Sequence, residues 1–163
     1  MAGGYTGKVL RIYLTKKSIS TIDTEHYEEY GGGHGIGSAI FGDLISDQLP
    51  LNALDPRNVI TIMTSPFSGV LVPAAAGRCE VQGVGPQGYP VEWFTRSNFG
   101  GRFSSQLKYA GWDGTVIKCA ILGADFHEFE GWNPANGWPK SAVRESLGLN
   151  KVADGLRTVG KLG

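Results

Sequence analysis

Cysteine is nearly absent, with only Cys79 and Cys119 in 163 residues. Neither belongs to a C-x-x-C unit, so the chain's own thiols assemble no zinc or iron–sulfur framework. Both fall in apolar, strand-like surroundings, where a free cysteine behaves as a small buried hydrophobe. A disulfide between them is the alternative, and a reducing cytosol disfavours it. Charge is scarce too. Only 18% of residues are charged and the formal net charge is zero, which leaves nothing to attract nucleic acid or an anionic membrane. No apolar run approaches the about 20 residues that span a bilayer. The opening MAGGYTGKVLR lacks the apolar core of a secretory signal. The expectation is a cytoplasmic protein without nucleic-acid or membrane partners. No metal-ligating and no catalytic side chain is assigned.

Glycine, by contrast, is abundant at 25 residues, about twice the usual share of roughly 7%. The glycines follow no fixed period, which excludes collagen and a simple linker and implies tight turns or close backbone approaches. They are most informative in the stretch from Arg96 to Gly114, RSNFGGRFSSQLKYAGWDG. Gly100 and Gly101 follow the polar pair Ser97-Asn98 and let the backbone come close to a ligand or another strand. A short helical pattern, Phe103 to Ala110, places Phe103, Leu107 and Ala110 on one stripe, and Gly111 ends it as a C′ glycine. A glycine loop opening onto a helix N-terminus offers free N–H groups to an anion or carbonyl oxygen. The same pattern fits a tight turn before an ordinary amphipathic helix. Lys108 lies off the stripe and reads as solvated or ion-paired, and Asp113 beside Gly114 reads as turn chemistry.

The length suits one domain with a substantial core. Lys8 to Thr15 and Ser18 to Ile22 read as a hairpin joined by Lys16-Lys17. Thr24 is placed to cap a short helix, Glu25 to Tyr30, which Gly31 stops. GGGHGIG, residues 31 to 37, reads as a loop before a helix from Ser38 to Leu49 whose stripe is Ile40, Phe41, Leu44, Ile45 and Leu49. That loop follows a helix-like segment and misses the G-x-G-x-x-G spacing, so it makes no nucleotide site. His34 either faces a ligand or is an ordinary hydrogen-bonded residue. Pro50 to Asn58 is a loop. Val59 to Met63 is apolar throughout and reads as a strand buried on both faces. Val70 to Ala76 is extended, with Pro73 confining it to an edge or a bulge. Arg78 to Val84, Val91 to Thr95 and Thr115 to Leu122 complete the strands. Phe126 to Pro139 is irregular, Ala142 to Leu147 is helical, and the tail has loose helical spacing. The class is therefore α+β, mainly antiparallel β-sheet with a few short helices.

Four ordered stretches carry a resemblance: GGYTGKVLRIYLT, EEYGGGHGIGSAIF, ITIMTSPFSGVLVPAAAGRCEV and SNFGGRFSSQLKYAGWDGTVI. Together they cover about residues 4 to 121. Their order and spacing resemble the N-terminal domain of the tungsten-containing aldehyde ferredoxin oxidoreductases, whose chains carry N-S-G-G-x-F-G-x-x-L-K-x-A-G-Y-D-x-I-V-I. The resemblance implies a pterin-cofactor-binding core over residues 1–122, with 123–163 a diverged or truncated C-terminal part of the same domain.

It further implies a tungsten (or molybdenum) bis-pterin cofactor, held by its own dithiolenes and contacted by Arg78, Asn98, Gly100 and Gly101. Arg78 would meet phosphate with its forked donors, and Asn98 a pterin edge with its amide. The plain alternative for Arg78 is an ion pair with Glu80 or Asp113. Phe99 and Arg102 depart from the family pattern. The family's iron–sulfur cluster is ligated in later domains. The implied partners are therefore those remaining domains or another subunit, and a ferredoxin-type electron carrier, with an oligomer possible. The implied reaction is aldehyde oxidation to carboxylate. A scaffold domain that kept the fold without the cofactor is the alternative. Trp93, Phe94, Phe99 and Phe103 are the apolar groups expected beside an open site, Phe103 being the one best suited to the core.

Overall fold

In this computed structural model the structure describes residues 3–73, 77–85, 92–118, 140, 154–155 and 157–158. The chain divides into two units, residues 1–120 and 121–163. The first holds a six-stranded sheet built from β1 (Lys8–Tyr13), β2 (Ser18–Asp23), β3 (Val59–Met63), β4 (Cys79–Gly85), β5 (Trp93–Phe99) and β6 (Gly114–Lys118), in the order β2-β1-β6-β3-β4-β5. β1 and β6 pair in parallel, and the other neighbours are antiparallel. The helices are α1 (His34–Ile45) and α2 (Phe103–Tyr109), with short 3-10 segments at Thr24–Tyr30 and Ser46–Gln48. The α+β, mainly antiparallel class is thus borne out. The expected hairpin forms, its turn made by Lys17 in the left-handed region at φ 50. The expected elements after Lys118 fall outside the described residues, apart from helical backbone at 154–155 and 157–158.

α1 supplies the core. Ile36, Ile40, Phe41 and Ile45 are buried against Val9, Val59, Met63, Val84 and Val116 of the sheet. The helix begins four residues earlier than its sequence suggests, taking in His34 and two glycines of the expected loop. The reason is packing. A Cβ at Gly37 would stand 2.3 Å from Gln82 Oε1 on β4, and one at Gly35 would stand 2.0 Å from the Tyr30 carbonyl. These glycines let the helix lie close to the sheet and to the preceding turn. The helix also ends earlier, at Ile45, so Leu49 leaves the stripe and is exposed.

Other expectations are corrected. β3 is buried on one face only: Val59, Thr61 and Met63 turn inward, while Ile60 on the opposite face stays 40% exposed. Thr24 does not cap its helix. Asp23 holds the N-cap position with no side-chain cap, and the Thr24 hydroxyl donates instead to Asp113 at 2.7 Å. Val70 to Pro73 is bent and not extended, with 74–76 outside the described residues. β5 runs on through Ser97-Asn98-Phe99, because β4 pairs with it as far as Cys79 opposite Phe99. Cys79 is free and buried, as its surroundings suggested. Burial pushes its thiol pKa up against a hydrogen bond with Ser104.

Candidate site at the β4–β5 edge

The site is built from strand register. Glu80 lies opposite Asn98 and Gln82 opposite Arg96, so these side chains share one face of the sheet. Arg78 enters just before β4, and its guanidinium Nη1 donates to Asn98 Oδ1 at 2.9 Å. Both residues are exposed. β5 then passes into Gly100 and Gly101. Gly101 has φ 94, and a Cβ on either glycine would meet no atom within 4 Å. A Cβ at Gly77 would come within 3.1 Å of the Gly101 carbonyl, so the two backbones already lie close. Arg78, Asn98, Gly100 and Gly101 are thereby brought together at one corner of the sheet.

The ion pairs considered for Arg78 do not form. Glu80 pairs with Arg96 at 3.3 Å and stands 3.9 Å from His34 Nδ1. Asp113 pairs with Lys108. Among the described residues Arg78 meets the neutral amide of Asn98, which accepts with its Oδ1. His34 is held by Gln82, whose Nε2 donates to the His34 carbonyl at 3.0 Å and lies 2.5 Å from Nδ1. That matches the ordinary hydrogen-bonded histidine. Among the described residues no group of three or more His, Cys, Asp or Glu could hold a metal ion.

α2 follows the glycine pair, and its C-terminus is closed as expected. Gly111 donates to the Lys108 carbonyl and Trp112 to that of Leu107, a paired closure with Gly111 at φ 85. Its buried face differs from the expected one. Ser104 and Lys108 are buried, while Phe103 and Tyr109 are exposed. Of the four aromatics near the site, Phe94 stacks on Phe41 and joins the core. Trp93, Phe99 and Phe103 stay in solvent, with Phe103 against Phe99 at 5.3 Å between centroids. Phe103 is therefore no core residue, because Ser104 and Lys108 turn the other side of α2 inward.

What residue-by-residue reading missed is the pair Lys108–Asp113. Asp113 is no turn residue. Its carboxylate is buried and accepts from the Thr6 and Gly7 backbone N–H groups, the Thr24 hydroxyl and the Lys108 ammonium. Lys108 also donates to the Gly4 carbonyl at 2.8 Å. Burial pushes the Asp113 pKa up, but the bonds from Lys108, Thr6 and Thr24 outweigh it and hold the pKa below the ordinary value. This pair ties the N-terminal segment to the far end of α2. The signal was present as L-K-x-A-G-W-D, a lysine and an aspartate either side of a helix-ending glycine. A burial pattern that hides a lysine and exposes a phenylalanine is invisible to an apolar count.

Comparison with known proteins agrees with this layout. The family model described as aldehyde ferredoxin oxidoreductase, N-terminal domain, matches residues 9–120. The tungsten-containing aldehyde ferredoxin oxidoreductase of Pyrococcus abyssi is 33% identical over 118 residues, covering 71% of this chain and 18% of its own length. That of Thermococcus kodakarensis is 32% identical over 163 residues, covering 91% of this chain and 26% of its own. A solved structure, the active site complex BamBC of benzoyl coenzyme A reductase in complex with 1,5 dienoyl-CoA, aligns with TM-score 0.59 and 30% identity over 71% of this chain and 17% of that one. The chain thus spans between 17% and 26% of these proteins' lengths. It belongs to the aldehyde ferredoxin oxidoreductase family and corresponds to its N-terminal domain.

Proposed function

We propose that residues 1–122 form the seat of a tungsten (or molybdenum) bis-pterin cofactor in an aldehyde-oxidising enzyme, with 123–163 a diverged continuation of the same domain. One observation carries the reading: the Arg78 guanidinium bonded to Asn98 at 2.9 Å, beside a glycine pair whose Cβ positions open onto free space. The residues fit such a group. Arg78 offers a phosphate its remaining forked donors, and Asn98 offers a pterin edge its amide donors. Gly100 and Gly101 admit a ring system where a Cβ would intrude. Arg78 orients Asn98, so the amide is fixed before a ligand arrives and loses little freedom on binding.

When bound, the tungsten centre supplies the oxidation of an aldehyde and water to a carboxylate. This chain's residues bind and orient the group. Later domains or another subunit would carry the iron–sulfur cluster and pass electrons to a ferredoxin-type carrier. The setting would be the cytoplasm, and no helix among the described residues is long and apolar enough to cross a membrane.

The test is tungsten and molybdenum analysis of the assembly purified from its native source, as wild type and as Arg78→Ala. Because Arg78 is exposed, the expected outcome is lost metal with an unchanged thermal midpoint. The lost charge-assisted contact should weaken retention by about 1.5–3 kcal/mol. A large fall in the midpoint of metal-free protein would make Arg78 structural. Metal-free wild-type protein would favour the cofactor-less scaffold.

A further inference from the structure

A second cleft lies between α1 and the 3-10 segment before it, on the side of the helix turned away from the core. It encloses about 530 Å³, and Ser38 and Gly42 of the helix line it together with Tyr27 and Tyr30 of the segment. That size falls among small-molecule sites, which run to about 300–1,000 Å³. At Gly42 the cleft passes over bare backbone, since a Cβ there would meet no atom within 4 Å.

Two polar groups in the cleft are left for a ligand. The Ser38 hydroxyl oxygen is buried and has no hydrogen-bond partner among the described residues. A helical serine ordinarily turns back to the carbonyl four residues earlier. Here that carbonyl belongs to His34 and already accepts from Gln82 Nε2 at 3.0 Å. The second group is the exposed carboxylate of Asp43, which also lines the cleft. It accepts from the Tyr27 hydroxyl at 2.8 Å, and no lysine or arginine among the described residues pairs with it. Burial and that bond push the Tyr27 pKa up to about 12, so the phenol stays a donor and Asp43 keeps its charge. Residues 18–56 carry seven carboxylates and no lysine or arginine, and the field they set up favours a cation. Acidic charge alone would mark only a solvated face. The cavity and the unpartnered hydroxyl are what make this one a site.

We propose that the cleft binds an arylalkylammonium ion with a polar group on its ring. The ammonium meets Asp43, the body lies along the tyrosine rings, which attract cations, and the ring's polar group meets Ser38. The inference is independent of the cofactor contacts at the β4–β5 edge.

The test is calorimetric titration of the assembly purified from its native source, at about 0.15 M salt, where long-range attraction between exposed charges is screened. The probes are tyramine, phenethylamine, para-ethylphenol and para-hydroxyphenylpropanoate. Tyramine should bind at least tenfold more tightly than the neutral phenol or the carboxylate, and more tightly than phenethylamine. Asp43→Asn should weaken tyramine roughly tenfold or more. Ser38→Ala should erase the preference for tyramine over phenethylamine. Gly42→Leu fills the cleft from open space, so it should abolish binding without lowering the thermal midpoint, which separates a blocked site from a misfolded chain. No binding of tyramine, equal binding of the neutral phenol, or affinity that survives Asp43→Asn or Gly42→Leu overturns the inference. A tyramine preference that is absent, or that persists in Ser38→Ala, overturns it too.

Discussion

Asp113 gathers donors from the N-terminal segment, from the 3-10 segment and from α2, so it ties these three segments together. Lys108→Met would leave a buried carboxylate without the one cationic partner it has among the described residues. The expected cost is about 3–5 kcal/mol, read as a lower midpoint in chemical denaturation. Replacing both members with apolar residues should not recover it, because the Thr6 and Gly7 N–H groups would then be stranded. An apolar double variant as stable as wild type would refute this account. The same carboxylate sets an acid limit. Its pKa is depressed in the folded chain, so its contribution is complete above the ordinary value of 3.8 and is withdrawn as pH falls below that toward its own lower value. Asp113→Asn should flatten that part of the stability–pH curve. A variant curve as steep as wild type would place the acid sensitivity elsewhere.

At the scale of the element, α1 contains the same substitution twice with opposite expected signs. Gly42→Ala adds a Cβ that meets nothing within 4 Å and gains helix propensity, so it should stabilise by roughly 0.5–1 kcal/mol. Gly37→Ala drives a Cβ to 2.3 Å from Gln82 Oε1 and 2.9 Å from Thr61 Oγ1. It should destabilise by about 1–3 kcal/mol and disturb the Gln82–His34 bond. Thermal midpoints of the two variants moving in the same direction would contradict this reading of the helix. The comparison also explains why the helix start was misplaced. A run of glycines reads as a loop from propensity alone, yet Gly35 and Gly37 belong to the helix because close contact outweighs their entropic cost.

At the scale of the molecule, the candidate site is an open corner, its four residues on exposed or half-open backbone with apolar groups beside it. A cofactor that runs redox chemistry needs walls on several sides to exclude water and fix its electronics. The chain by itself should therefore be silent in an aldehyde-dependent viologen reduction assay. A soluble monomer that turns over aldehyde without added subunits would defeat this expectation.

The sequence by itself determined the sheet-rich class, the hairpin, the Gly111 helix stop and the family. Local patterns carry that information because turn glycines and strand periodicity act within a few residues. Arg78, Asn98, Gly100 and Gly101 entered only as residues that the family resemblance implies. Only the tertiary structure decided which faces were buried. It left Ile60 exposed on a strand that reads as wholly buried, turned Phe103 outward and Lys108 inward, and gave Asp113 partners from the opposite end of the chain. It also placed Arg78 on Asn98, through the β4–β5 register, and not on either carboxylate. Each of these depends on contacts between residues far apart in sequence, where hydrogen bonds to an ion and the fit of backbone against backbone outweigh intrinsic preference.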